Sequence, residues 1–467
     1  MMRHIEETLR ACGFLAEVKD GVIDLSGESR ENLDFLHEAA VRNGLLTPVD
    51  ETGFRFQAAN HSVNQTALFE AMNVWGRGFH EGLYEWRSED DVVLAILDLN
   101  IAGIVRHLNR LGFHTTGSCG GHEEERVRRP AYIMLADDQQ VPAVTALLEA
   151  LSFKVRQPMR QPNKIVFHQP SFESFMDGSL WLSYLTPDNL SHAAAVIRTC
   201  RFKRRLRDTL SISGRSGNED AIRNYVIDAL LTITPYVSVD HYGNILAKLD
   251  SKGSHHGPTI MVNAHLDSVE DLAEGRTIIE EGSIWTSSEG ILGADDRAGV
   301  AILLEALRTV KESRHFTGSV KIAFTVEEEI GLVGARQVDP SFLWGVDAAI
   351  VVDRRGQTDI VTGTGVRHET RFCHELFGAW VMDIAAKTGL KGWQTTPGGS
   401  SDTRIWAEHG IESVNLSAGY QHEHTDRETL DVNAAANTLQ LVTALLLERR
   451  SLQSVLCQIR NGARQAN

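Results

Sequence analysis

From about residue 205 onward, short apolar runs alternate with longer amphipathic ones, and this alternation restricts the fold more than any other feature of the chain. Strand-like runs occupy 259–266 (TIMVNAHL), 319–328 (SVKIAFTVEE), 348–353 (AAIVVD) and 413–419 (SVNLSAG). Helical spacing of apolar residues covers 219–231, 297–311, 376–387 and 434–447. Strands that are apolar throughout have no face for water, so helices must cover both sides. The expected fold is therefore α/β, a mainly parallel sheet between helices. In such sheets ligands bind beyond the carboxyl ends of the strands.

The first 200 residues read differently. Helices are expected at 31–43, 92–111 and 141–151, and strands at 131–136 and 163–169, with Pro158, Pro162 and Pro170 at the joints. This predicts an accessory α+β domain over 1–200, with room for two subdomains. A catalytic-type domain is expected over 201–450 and a C-terminal tail over 451–467. A basic run, RFKRRLR (201–207), reads as a solvated helix face at the junction. His114 to His122, with Cys119 between them, reads as a glycine-rich loop.

Composition removes several function classes. The 46 Lys and Arg against 62 Asp and Glu leave a formal charge of −16, which repels nucleic acid and anionic membranes alike. The most apolar stretch, 92–105, is too short for a bilayer and contains Asp98 and Asn100. The N-terminus lacks the apolar core of a signal peptide. The five cysteines (Cys12, Cys119, Cys200, Cys373 and Cys457) are odd in number and form no pairing motif. A reducing, cytoplasmic setting is expected.

Each strand of the regular half is followed by side chains that bind metal. The first ends at His265, with Asp267 two residues on. GADDRAG (293–299) supplies Asp295 and Asp296, the second strand leads into Glu327, Glu328 and Glu329, the third ends at Asp353, and the last approaches His422 and His424. Imidazole and carboxylate together suit Zn²⁺, with Co²⁺ or Mn²⁺ as alternatives. The lack of cysteine argues against a structural zinc. Two such ions about 3.5–4 Å apart share a bridging carboxylate and bring the pKa of a water to about 7. A further carboxylate must then move that water's proton. Residue chemistry alone leaves Glu328 and Glu329 interchangeable, and likewise His422 and His424.

The stretch from about 205 to 447 resembles the co-catalytic di-zinc peptidases and deacylases, among them peptidase T, leucine-type and glutamyl aminopeptidases and acetylornithine deacetylases. The resemblance rests on LSISGRSGNEDAIRNYV (210–226), VDHYGNILAKL (239–249), NAHLDSV (263–269), ILGADDRAGVA (291–301), TVEEEIGLVGA (325–335), VVD (351–353), GGSSDTR (398–404) and HTDRE (424–428). It implies a zinc-exopeptidase-like fold and two divalent metal ions. It further implies that His265 and Asp353 bind one ion, that Glu329 and His424 bind the other, and that Asp295 bridges them. Glu328 becomes the general base, and Asp267 orients the His265 imidazole.

Spacing separates the subfamilies. From His265 to Asp295 is 295 − 265 = 30 residues, too few for the domain that glutamyl aminopeptidases insert there. From Asp353 to His424 is 424 − 353 = 71 residues, too few for the lid of peptidase T and the deacetylases. The core is thus expected to be lid-less, with residues 1–200 covering the site in cis or across a homo-oligomer. The lid of those relatives supplies an oxyanion donor. Here Arg367, His368 and His422 are the candidates, and Glu327 and Asp296 form an expected acidic edge for a free amine. The expected function is a metal-dependent exopeptidase on small peptides, an aminopeptidase or di/tripeptidase. A deacylase of N-acylated amino acids and a non-catalytic binding protein are the alternatives.

Overall fold

Along the strand Thr259–His265, successive side chains enter two different cores. Ile260, Val262 and Ala264 pack on one face with the helix Ala294–Glu312. Met261 packs on the other with Ile405 and Trp406 of the helix Asp402–Glu408. Period-two geometry thus turns a wholly apolar run into a strand covered on both faces.

The computed structural model describes residues 2–50, 52–60, 63–73, 92–124, 127–251, 257–365 and 370–466. The chain divides into two units, Met1–Arg201 and Phe202–Asn467, and the division falls inside the helix Ala193–Leu210.

The second unit is built on a nine-stranded sheet. Its strands in chain order are β1 (Tyr236–Val239), β2 (Ile245–Asp250), β3 (Thr259–His265), β4 (Ser319–Thr325), β5 (Val346–Arg354), β6 (Asp359–Thr364), β7 (Thr370–Arg371), β8 (Gln394–Gly398) and β9 (Glu412–Ser417). The spatial order is β1-β2-β4-β3-β5-β9-β6-β7, with β8 paired to β6. The four central strands β4, β3, β5 and β9 are parallel to one another. The flanking pairs β2/β4 and β6/β9 are antiparallel, so the expected parallel sheet is the centre of a mixed one. The helix Ala294–Glu312 is buried almost throughout, because β3 and β5 lie against it and the helix Val432–Leu447 packs beside it. The helix Arg449–Ala466 takes up most of the tail expected over 451–467, and its Leu452 and Leu456 enter the main core. The basic run is not a solvated face: Arg205 bonds to Glu305 at 3.3 Å, and Arg207 grips both oxygens of Glu280 at 2.7 and 2.9 Å.

The first unit has its own core, centred on residues such as Phe14, Phe56, Ile101, Ile133, Phe167 and Phe175. Two four-stranded antiparallel sheets and the helices Met2–Ala11, Leu99–Arg110, Val141–Ala150 and Phe172–Ser183 surround it. Two expectations change here. The helix expected over 92–111 begins at Leu99, behind a 3₁₀ turn at Leu94–Ile96. The expected loop at 114–122 contains a strand, Thr115–Cys119, paired with Tyr132–Leu135. Its buried Thr115 and Cys119 are ladder residues, so backbone pairing outweighs the glycine content. No helix among the described residues is long and apolar enough to cross a membrane.

Candidate metal centre

Because β3, β4 and β5 run parallel, their carboxyl ends lie at one edge of the sheet. His265 is the last residue of β3, and Asp353 lies next to last in β5. Thr325 ends β4, and Glu327 to Glu329 follow after Val326. The helix Ala294–Glu312 starts at the same edge, with non-helical backbone at Asp295 and Asp296.

Four short distances organise the centre. His265 Nε2 lies 3.2 Å from Asp295 Oδ1 and 3.5 Å from Asp353 Oδ1. His424 Nε2 lies 2.8 Å from Glu329 Oε1 and 3.2 Å from Asp295 Oδ2. Asp295 therefore offers one carboxylate oxygen to each histidine. Two donor sets result, His265–Asp353–Asp295 and Glu329–His424–Asp295, with Asp295 common to both. His265 is buried, whereas the His424 side chain is 44% exposed, so the centre is open to solvent on the His424 side.

The donor set fits divalent cations. Ligand atoms of His265, Asp295 and Glu329 lie within 4.8 Å of one another, as do those of His265, Asp296 and Asp353. Among the described residues, none of Asp295, Asp353, Glu328 and Glu329 pairs with a lysine or arginine. Burial, with neighbouring carboxylates, pushes Asp353 up to about 7 and Glu328 up to about 10. Carboxylates gathered in this way are stabilised by a cation held between them.

Buried polar groups hold the ligand-bearing loops. The Asp267 carboxylate sits 3.3 Å from His265 Nδ1 and accepts the backbone N–H groups of Glu328 (2.9 Å) and Glu329 (3.1 Å), plus the Ser216 hydroxyl (2.8 Å). His265 Nδ1 bonds to the Asp267 backbone carbonyl at 3.1 Å, and the Asp267 carboxylate anchors the acidic turn. Tyr420 donates its hydroxyl to Asp353 Oδ1 at 3.1 Å. Asp402 accepts from the Thr325 hydroxyl at 2.5 Å, and burial pushes its carboxyl up to about 6. Gly299 permits the helix to approach β5, since a Cβ there would collide with the Val352 carbonyl and the Asp296 carboxylate.

The structure separates residues that chemistry left interchangeable. Glu327 has a left-handed backbone (φ 52°), and its carboxylate accepts the Tyr242 hydroxyl at 2.5 Å. Glu329 then reaches His424, while Glu328 lies among Asp353, Asp402 and Glu329. His422 is exposed, and its carbonyl accepts from the Thr425 hydroxyl. The expected acidic edge does not form. Asp296 is fully buried, and its oxygens accept the N–H groups of His265 (3.3 Å) and Gly299 (3.0 Å), so it caps the helix. Arg367 and His368 lie outside the described residues. Sequence reasoning assigned no role to Asn415, Tyr420, Asp402 or Glu428. Two of them, Asp402 and Glu428, stand inside the quoted motifs GGSSDTR and HTDRE, but nothing in their spacing separates a support from a ligand.

Residues 275–441 match the family model described as M42 glutamyl aminopeptidase. The match takes in Asp295, Glu328, Glu329, Asp353 and His424, and begins after His265 and Asp267. An uncharacterised Bacillus subtilis protein, YqjE, is 23% identical over 44% of this chain and 84% of its own length. Peptidase T of Halothermothrix orenii is 30% identical over 25% of this chain and 36% of its own, and that of Clostridium novyi 32% over 25% and 37%. The chain thus spans little more than a third of those peptidase T relatives. Among solved structures, aminopeptidase PepT from Bacillus cereus is 20% identical, covers 54% of this chain and 99% of its own, and superposes with a TM-score of 0.48.

Proposed function

We propose that this chain, whose residues 275–441 match the M42 glutamyl aminopeptidase model, is a metal-dependent exopeptidase acting on small peptides, an aminopeptidase or tripeptidase. The observation that carries the reading is Asp295, whose two oxygens face His265 and His424 separately. That arrangement suits two ions with a shared carboxylate. Zn²⁺ is the first choice for mixed imidazole and carboxylate ligands, with Co²⁺ or Mn²⁺ as substitutes.

His265, Asp353 and Asp295 would hold one ion, and Glu329, His424 and Asp295 the other. Bound there, the pair would supply Lewis-acid polarisation of a carbonyl and a more acidic water. Glu328 would take a proton from the attacking water and pass it to the leaving nitrogen. Asp267 keeps both the imidazole and the Glu328–Glu329 turn in place during the cycle. Scattered free cysteines support a cytoplasmic setting.

A substrate panel tests the reading. The metal-loaded protein should release free amino acids from unmodified di- and tripeptides, and lose that activity to a chelator. Cleavage confined to N-acylated amino acids would replace the peptidase with a deacylase. Metal binding without hydrolysis of either class would leave a binding protein.

A further inference from the structure

Glu428 is buried, and its carboxylate spans the turn that carries the shared ligand. Its Oε2 accepts the Gly293 N–H at 2.6 Å, and its Oε1 accepts the Asp295 N–H at 3.0 Å. The two donors stand 135 and 133 residues away in the sequence. Gly293 has a left-handed backbone (φ 72°), so the turn depends on a conformation that glycine adopts without strain. The N–H groups at this helix start have no intrahelical partners, and a carboxylate is well suited to both.

Four residues before Glu428, on the same loop, stands His424. Its Nε2 reaches Asp295 Oδ2 at 3.2 Å. The segment 424–428 therefore holds Asp295 at both ends, by its side chain through His424 and by its backbone through Glu428. The His265 side of the centre has separate supports, because Asp267 faces the His265 imidazole and Tyr420 bonds to Asp353. On the Glu329–His424 side, the 424–428 loop meets Asp295 twice, through the His424 imidazole and the Glu428 carboxylate.

We propose that Glu428 is a positioning residue that sets the register of Asp295 against His424, and so governs the affinity of the ion held by Glu329, His424 and Asp295. The inference rests on the two-ion reading above. Replacing the carboxylate with an amide turns one acceptor into a donor facing a backbone N–H. The turn then shifts, and Asp295 moves off the His424 set before it leaves the better supported His265 set.

The test uses the full chain, stripped of metal by a chelator and titrated with Zn²⁺ by calorimetry, and with Co²⁺ by visible absorption. Wild type should take up two ions. Glu428→Gln should retain one site near wild-type affinity and bind the second about 10- to 100-fold more weakly, the usual effect of losing a support behind a metal ligand. Glu428→Asp keeps the charge at a shorter reach and should fall between the two. The Co²⁺ spectrum of the second equivalent should change in both variants. A purely structural role would lower the unfolding midpoint of the metal-free chain and leave the ratio of the two affinities unchanged. Equal binding of both ions by wild type and Glu428→Gln overturns the proposal. If Glu428→Gln does not fold, wild-type affinities in Glu428→Asp overturn it instead. A wild type that binds fewer than two ions overturns the two-ion reading itself, and this inference with it.

Discussion

The side chain of Asn415 takes both backbone hydrogen-bonding groups of Asp353. The Asp353 N–H donates to Asn415 Oδ1 at 2.9 Å, and Asn415 Nδ2 donates to the Asp353 carbonyl at 2.8 Å. The register of β5 against β9 shifts at this point, between Val352 and Arg354, so the ladder leaves Asp353 to a side chain. The bulge points a carboxylate into the centre without leaving its backbone unpaired.

Removing that support should therefore be costly. Asn415→Ala leaves an N–H and a carbonyl of the half-buried Asp353 without their partner, each worth up to about 1–3 kcal/mol. The variant is expected to lose about 2–4 kcal/mol in urea unfolding and to bind metal more weakly. A change under about 0.5 kcal/mol, typical of a neutral surface substitution, would show that the bulge is stable without Asn415.

Glu328 and Glu329 should separate by phenotype. Glu328→Gln keeps the shape and removes the proton acceptor, so metal content should stay near normal while turnover falls by about 10²–10⁴-fold. Glu329→Gln should instead lose metal, since its carboxylate lies against His424. Metal analysis and peptide hydrolysis on the same preparations decide the matter. The opposite pattern would move the assignment by one residue along the Glu327–Glu329 turn.

Asp295 should matter to both ions at once. Asp295→Ala is expected to lower the occupancy of both sites, whereas Asp353→Ala should mainly affect the site shared with His265. Atomic absorption after dialysis against trace Zn²⁺ measures the difference. Two full equivalents in Asp295→Ala would show that it bridges nothing.

His107 should make the first unit sensitive to acid. It is fully buried, its Nε2 bonds to the Arg10 carbonyl at 2.9 Å, and burial, with Arg110 nearby, holds it well below the usual histidine value of 6.5. The unfolded chain takes up this proton more readily than the folded one. The stabilisation is therefore complete above pH 6.5 and is lost as the pH falls below it. Relative to His107→Gln, wild type should lose stability as the pH falls through 6.5, with a slope that steepens toward about 1.4 kcal/mol per pH unit. Parallel stability curves for the two proteins would contradict this.

The α/β character of the second unit could be read from the alternation after residue 259, because a strand covered on both faces must be apolar along its whole length and a covering helix must not be. The candidate ligands were legible for a related reason. His265, Asp353 and the glutamates follow apolar strands, and parallel strands bring their ends to one edge wherever the chain goes between them. Tertiary structure alone decided the rest. Nothing local tells Glu328 from Glu329; the left-handed backbone at Glu327 and its bond to Tyr242 turn the run so that Glu329 meets His424. Nor does a local pattern mark Asn415 or Glu428, whose partners lie 62 and 133 residues away. Periodicity records which face of an element meets the core. It carries no record of which distant backbone group a buried polar side chain will satisfy, because that depends on how the packed elements approach one another.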